Sequence, residues 1–202
     1  MKHLNHYYTQ TNDRLEHDLS QFKCFVAGRE YTFQTDSGVF SKKGLDFGTR
    51  LLLEAIISEK EETVLDLGCG YGPIGIILQD QWQKDVTMVD INRRALEIAR
   101  INAKLNKVKA SIIESDGFAS VSGIYSLIVT NPPIRSGKKT YYGWFDQARN
   151  HLSNDGKLVL VMRKDQGAKS AITYLTSLYA SVTLVSRKAG YFIISCQNAL
   201  TI

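Results

Sequence analysis

Hydrophobic and polar positions follow two periods along the chain. Apolar, largely β-branched runs occupy 63–67, 86–89, 109–113, 125–129 and 157–162. Between them, apolar residues recurring every three or four positions predict helices over 73–83, 92–105, 139–152 and 166–178. Pro73 suits a first helical turn, Asn92 suits a helix cap, and Asn154-Asp155-Gly156 predicts a turn into the strand at 157–162. Two last runs, 182–186 and 191–196, flank residues 187–190 and predict an antiparallel hairpin. Upstream, residues 1–20 are polar and predict a loose arm or a short helix. The runs 22–26 and 30–34 around Ala27-Gly28-Arg29 predict a hairpin, 35–44 a loop, and Asp46 opens a helix to about 57, with Leu51, Leu52, Ala55 and Ile56 on one face.

Alternating strands and helices that end in a strand hairpin predict an α/β fold. The expected architecture is a doubly wound, Rossmann-like, seven-stranded, mostly parallel sheet with a C-terminal antiparallel hairpin, plus a short N-terminal β-hairpin. Residues 1–45 would form an arm, hairpin and loop packed on a main domain at 46–202. Ligands of such sheets sit at the carboxyl ends of the strands, so residues with unusual chemistry are expected there.

Composition changes little. The chain has 202 residues, 44% hydrophobic and 22% charged, the profile of a globular domain. It shows neither an apolar signal segment at its start nor a run long enough to span a bilayer, which predicts a cytoplasmic protein without a membrane partner. Cys24, Cys69 and Cys196 are far apart and His3, His6, His17 and His151 lack ligand spacing, so neither disulfide framework nor metal site is expected. His151 reads as a surface or helix-end residue. The net charge of +5 is compatible with a polyanionic partner such as RNA, and equally with a merely basic protein. Nothing in the sequence sets the oligomeric state.

The chemistry gathers at strand ends. The first main-domain strand runs into Asp66-Leu67-Gly68-Cys69-Gly70-Tyr71-Gly72-Pro73. Glycines leave a backbone that a ligand can approach closely, followed by a helix N-terminus. Gly70, Gly72 and Gly75 also fit the dinucleotide pattern G-x-G-x-x-G, with Asp90 twenty residues after Gly70. Asp66 argues against that choice: a carboxylate beside the glycines would repel a pyrophosphate and favour a ligand carrying ammonium and sulfonium groups, as S-adenosylmethionine does. Asp90, with Ile91 beside it, can accept from two ribose hydroxyls. Asp116-Gly117 stands at a third strand end, where an adenine amino group would be read. One strand-end acid is usually a turn former; three around one glycine loop point to a ligand. The fourth strand ends in Thr130-Asn131-Pro132-Pro133-Ile134, where two prolines fix the backbone and hold Asn131 extended. Arg135 and Lys138 follow in a basic loop suited to phosphate contact. Tyr141, Tyr142 and Trp144 fall at helical spacing, and Trp144 reads as core.

These segments resemble a known family. Residues 64–72, Val-Leu-Asp-Leu-Gly-Cys-Gly-Tyr-Gly, look like motif I of the class I S-adenosylmethionine-dependent methyltransferases. Asn131-Pro132-Pro133-Ile134 resembles their N-P-P-[aromatic] motif, found in enzymes that methylate amino groups of bases or of glutamine. Gly38-Val39-Phe40-Ser41, Gly44-Leu45-Asp46 and Leu51-Leu52-Leu53 resemble the segment before motif I in bacterial small-subunit ribosomal RNA guanine-N2 methyltransferases and their small single-domain relatives. The family's larger members carry a second, N-terminal domain of similar fold, and Ile134 replaces the usual aromatic. The resemblance implies S-adenosylmethionine as cofactor, held by Phe40, Asp66, Gly68, Cys69, Gly70, Gly72, Asp90, Ile91, Asp116, Gly117 and Asn131. It implies Asn131, Pro132 and Pro133 as the catalytic segment, with the Asn131 amide oxygen and the Pro132 carbonyl accepting from an exocyclic amine. Ile134, Arg135 and Lys138 would meet the substrate, and ribosomal RNA or the small ribosomal subunit would be the partner. Adenine N6 and a protein glutamine amide remain alternative acceptors, and a noncatalytic RNA-binding module with a relic cofactor site a different class.

Overall fold

The computed structural model describes residues 18–36 and 44–200. Phe40, the surrounding signature at 38–41, Lys42 and Lys43, and the arm preceding residue 18 lie outside the described residues. Two strands, β1 (Ser20–Val26) and β2 (Arg29–Thr35), pair antiparallel around a two-residue turn. Ala27 and Gly28 both have positive φ, 47° and 81°, the geometry that matches strand twist in tight hairpins. Helix α1 (Phe47–Ile56) follows, capped by Asp46, whose Oδ2 accepts from the Thr49 N–H at 3.1 Å.

The main sheet is built from β3 (Thr63–Leu67), β4 (Asp85–Asp90), β5 (Ser111–Glu114), β6 (Tyr125–Thr130), β7 (Leu152–Arg163), β8 (Tyr179–Lys188) and β9 (Tyr191–Ala199). Their spatial order is β5-β4-β3-β6-β7-β9-β8, with β9 antiparallel to both neighbours and the other pairings parallel. This is the doubly wound, Rossmann-like fold expected from the alternating pattern. The order reverses at β3 and β6, which places the ligand crevice beyond the carboxyl ends of that pair.

Helices α2 (Pro73–Trp82), α3 (Arg93–Leu105), α4 (Lys138–Ala148) and α5 (Ala168–Leu175) complete three layers. Alternate strand residues feed opposite cores. Val64, Leu127 and Val159 pack with α1, α2, α3 and the hairpin, whereas Leu65, Ile128 and Leu160 pack with Tyr141 and Phe145 of α4 and Leu175 of α5. The hairpin shares this first core through Val26, Tyr31 and Phe33.

Two boundaries differ from expectation. Strand β7 starts at Leu152, earlier than expected, but Asn154-Asp155-Gly156 pairs with neither neighbour: the register with β6 steps from Tyr125–Leu152 to Leu127–Lys157 and pairing with β9 begins at Lys157, so the turn-forming residues bulge out of the ladder. Helix α4 ends at Ala148 and passes into a short 3-10 turn at Arg149–His151. There the His151 ring stacks on Phe118 with centroids 4.8 Å apart.

The hairpin is keyed to α3 by two amides one helical turn apart. Asn106 accepts from the Thr32 N–H and donates to its carbonyl, at 3.0 and 2.8 Å. Asn102 does the same with Gln34, at 2.7 and 2.9 Å, and also donates 2.9 Å to the Tyr71 carbonyl in the glycine loop. Asn102 is fully buried. Replacing it with alanine strands backbone groups of both the hairpin and the loop, an expected loss of about 2–3 kcal/mol. Asn106→Ala should cost less, about 1 kcal/mol. Urea unfolding of the two variants checks the ranking, and equal losses would dismiss the keying of the glycine loop.

Candidate active site

Two segments leave the sheet at its switch point. From β3, the Gly68 and Cys69 N–H groups both donate to the Val89 carbonyl at 2.9 Å, and Gly70 N–H donates to Asp90 Oδ2 at 2.8 Å. From β6, the buried Thr130 hydroxyl donates 2.7 Å to the Leu67 carbonyl, so the ends of both strands are joined where the segments part. Between them opens a crevice enclosing about 490 Å³ of empty space, its solvent-facing mouth included.

Of the expected site residues, Gly68, Asp90, Ile91, Asp116, Gly117, Asn131 and Pro133 line this crevice. Asp66, Cys69, Gly70, Gly72 and Pro132 lie outside the lining, and so do Ile134, Arg135 and Lys138. Ile134 packs against the α4–α5 core. Arg135 and Lys138 are exposed beyond it. Burial pushes the Cys69 thiol well above its usual range, so it serves as a neutral packing group.

Trp144 corrects a sequence expectation. It is a half-buried wall of the crevice, packed on the second core only at its rear. A Cβ built on Gly68 would stand 3.0 Å from its indole, and one on Gly117 2.5 Å from Nε1. Both glycines have positive φ, 74° and 55°. They let the indole lie across the glycine loop and the β5 loop at once, which any side chain would prevent. Ser115, Ser136 and Thr140 also line the crevice unanticipated. No isolated serine or threonine carries a signal that separates a cavity wall from a surface.

The Asn131 amide is fixed from behind. Its Nδ2 donates to Thr49 Oγ1 at 3.1 Å and to Asp46 Oδ2 at 3.4 Å. Asp46 Oδ2 is already the cap acceptor of α1, and a carboxylate oxygen only accepts. The amide is therefore oriented with nitrogen toward α1, leaving Oδ1 for the crevice. The Pro132 carbonyl, expected to be a second acceptor, takes the Ile134 N–H at 2.9 Å and keeps one lone pair.

Asp90 stands at the crevice with Oδ2 on Gly70 N–H and Oδ1 on Asn92 N–H, 2.8 and 2.9 Å. Burial raises its pKa, and the N–H groups of Asn92, Gly70 and Ile91 oppose that rise. Asp66 is fully buried beneath the loop. Oδ2 accepts from Gly75 N–H at 2.9 Å, and Oδ1 has no hydrogen-bond partner among the described residues. Burial, opposed by the Gly75 N–H and reinforced by the Asp90 charge, raises its pKa from 3.8 to about 7.

The lining decides which cofactor fits. Its charged groups are the carboxylates Asp90 and Asp116, set among hydroxyl, amide and apolar groups, and among the described residues it holds neither lysine nor arginine. A pyrophosphate would find no counter-charge there, whereas a nucleoside bearing cationic groups meets acids and an indole. The described residues also contain no cluster of His, Cys, Asp or Glu able to hold a metal ion, and no helix long and apolar enough to cross a membrane.

The comparisons agree with this geometry. The family model described as "Methyltransferase small domain" matches residues 30–195. The chain belongs to that methyltransferase family. S-adenosylmethionine is accordingly its cofactor, and methyl transfer its reaction class. The chain is 40% identical over 198 residues to the uncharacterised Bacillus subtilis protein YbxB, covering 96% of this chain and 98% of that one. It is 35% identical over 148 residues to the ribosomal RNA small subunit methyltransferase C of Aeromonas hydrophila, covering 71% of this chain but 43% of that protein. The chain thus spans under half the length of that relative. Among solved structures, a T. thermophilus 16S rRNA methyltransferase in complex with AdoMet and guanosine superposes with a TM-score of 0.81 at 24% identity, over 89% of this chain and 50% of that one.

The buried Asp66 yields a pH test. Its folded pKa lies above the unfolded value, so the native state holds a proton that the unfolded chain releases as pH rises from about 4 to about 7. Its contribution to stability therefore falls across that window and stays low above it. Asp66→Asn keeps an acceptor for Gly75 and removes the charge. Relative to the parent, its melting temperature should rise between about pH 4 and about pH 8. A pH-independent difference in calorimetry would show that Asp66 titrates normally.

Proposed function

We propose that this chain transfers a methyl group from S-adenosylmethionine to an exocyclic amine of a base in RNA, guanine N2 of small-subunit ribosomal RNA. The observation that carries the reading is the Asn131 amide, oriented by Thr49 and Asp46 with its oxygen toward a crevice that Asp90, Asp116 and Trp144 also line. Relatives named as small-subunit ribosomal RNA methyltransferases support the acceptor class.

Within that reading, Asp90 would hold the ribose hydroxyls, Ile91 and Trp144 the two sides of the adenine, and Asp116 with Gly117 its edge. The orphaned Asp66 Oδ1 fits a nearby amino group. Bound there, the cofactor supplies an electrophilic methyl group on a sulfonium. The protein's own task is to prepare the amine, whose lone pair is delocalised into the base. Asn131 Oδ1 accepts one N–H and the free lone pair of the Pro132 carbonyl accepts the other. Both stabilise the positive charge that grows on nitrogen. The prolines hold these acceptors without reorganisation. The alkylated amine is acidic enough to lose its proton afterwards, so Asn131 needs no partner base.

Tritiated methyl transfer to small subunits, large subunits and deproteinised ribosomal RNA from cells lacking the protein tests the acceptor. N2-methylguanosine from small subunits, identified by mass spectrometry, is expected. N6-methyladenosine, or label on protein glutamine, would replace the acceptor, and RNA binding without cofactor binding or transfer would mark a relic site.

Asn131→Ala should lower turnover at least ~100-fold with cofactor affinity nearly intact. Thr49→Val should lower it roughly 10-fold by freeing the amide, and Thr49→Ser should largely restore it. Equal turnover in valine and serine variants would dismiss the hydroxyl's part.

A further inference from the structure

We infer that the carboxyl-end rim formed by the β7–α5 loop and the β8–β9 turn is a phosphate-binding surface that carries the RNA past Asn131. This rests on the reading of RNA as acceptor and extends the surface beyond the loop that follows the two prolines.

The charge is segregated. Segments 134–139, 163–169 and 186–190 together hold eight lysines and arginines and one acid, Asp165, whereas the whole chain has 25 basic and 20 acidic residues. All three segments lie at the carboxyl end of β6 and β7, because β8 ends and antiparallel β9 begins at that edge. Two of them are joined directly: Lys164 N–H donates 2.8 Å to the Gly190 carbonyl. Lys164, Arg187 and Lys188 are exposed.

The rim is continuous with the site. The Arg163 guanidinium lies over the Tyr191 ring, 5.5 Å from its centroid. Tyr191 in turn sits against α1, where a Cβ on Gly48 would stand 2.8 Å from its ring and 3.0 Å from Asp46 Oδ2. Asp46 holds Asn131. One row of contacts thus leads from the basic turn to the proposed catalytic amide. From β6 to β8 there are three strand intervals, roughly 15 Å, about four nucleotide steps along one strand of a duplex.

The aromatics favour RNA over an acidic protein. Phe47 is exposed and its ring lies 5.3 Å from that of Tyr191. An exposed ring beside cations suits a base stacked between phosphates. The crevice is acidic and the rim basic, so phosphates are held outside while a single base enters.

The test uses the full chain and a short fluorescein-labelled single-stranded RNA, read by anisotropy across a potassium chloride series. Arg187→Glu/Lys188→Glu should weaken binding at least ~10-fold and flatten the salt dependence by about one to two logarithmic units. Lys164→Glu, in the other loop, should act in the same direction. S-adenosylmethionine affinity, read by calorimetry, should stay within about twofold, since neither loop lines the crevice. Lys107→Glu/Lys109→Glu makes the same charge change at the opposite edge and should have little effect. Unchanged RNA affinity in the rim variants, equal loss in the control, or no RNA binding by the parent overturns the inference. RNA capture through the rim without methyl transfer would leave it standing and remove the proposed function instead.

Discussion

One hydroxyl joins the two halves of this fold. Thr130 donates to the Leu67 carbonyl at the point where β3 and β6 part company. Parallel pairing between these strands reaches only as far as Asp66 and Val129. Beyond that, the glycine loop turns toward α2 and the proline segment toward α4. A crevice opens wherever neighbouring strands send their connections to opposite faces. Such a crevice has fixed walls only if the strand ends cannot splay. The buried Thr130 bond supplies that restraint, and the Asn131 amide, one residue later, inherits its position from it.

The alternation of strands and helices was legible because each strand face and helix stripe must meet a core, and burial imposes its period on the residues. The strand-end acids were legible for the same reason: an acid at the end of a buried strand needs an explanation. Other features were hidden because their meaning is tertiary. Trp144 has the spacing of a core residue, and only the packing of α4 shows its indole crossing Gly68 and Gly117. Asp46 reads as a helix cap, which it is; its second donor, eighty-five positions away, leaves no trace in local pattern. The depth of Asp66 beneath the loop was not legible either, because sequence order says nothing of depth. Asn154-Asp155-Gly156 has turn chemistry and bulges out of the ladder, whereas the earlier start of β7 at Leu152 leaves no local signal because it depends on Tyr125 of β6.

The electrostatics divide by depth. Acids lie within and beneath the crevice, where low dielectric strengthens their action on anything cationic. Basic residues gather outside on the β6–β8 half of the same edge, where water screens them over about 10 Å at moderate salt. Each set governs a different event. Outer charges act on a long polyanion before contact, and inner acids select a compact cationic ligand after entry.

The paired amides of α3 have a further effect on the hairpin. The outer edge of a strand such as β2 offers unpaired N–H and C=O groups to any extended peptide that drifts past. Asn102 and Asn106 occupy those groups on β2 with side chains that cannot propagate a sheet. The edge is thereby closed to strand addition without a third strand being built. Lifting the hairpin from α3 would reopen that edge and expose Phe33 and Tyr31 to water. An element that reads as an appendage is thus bound to the domain by the same bonds that occupy its β2 edge.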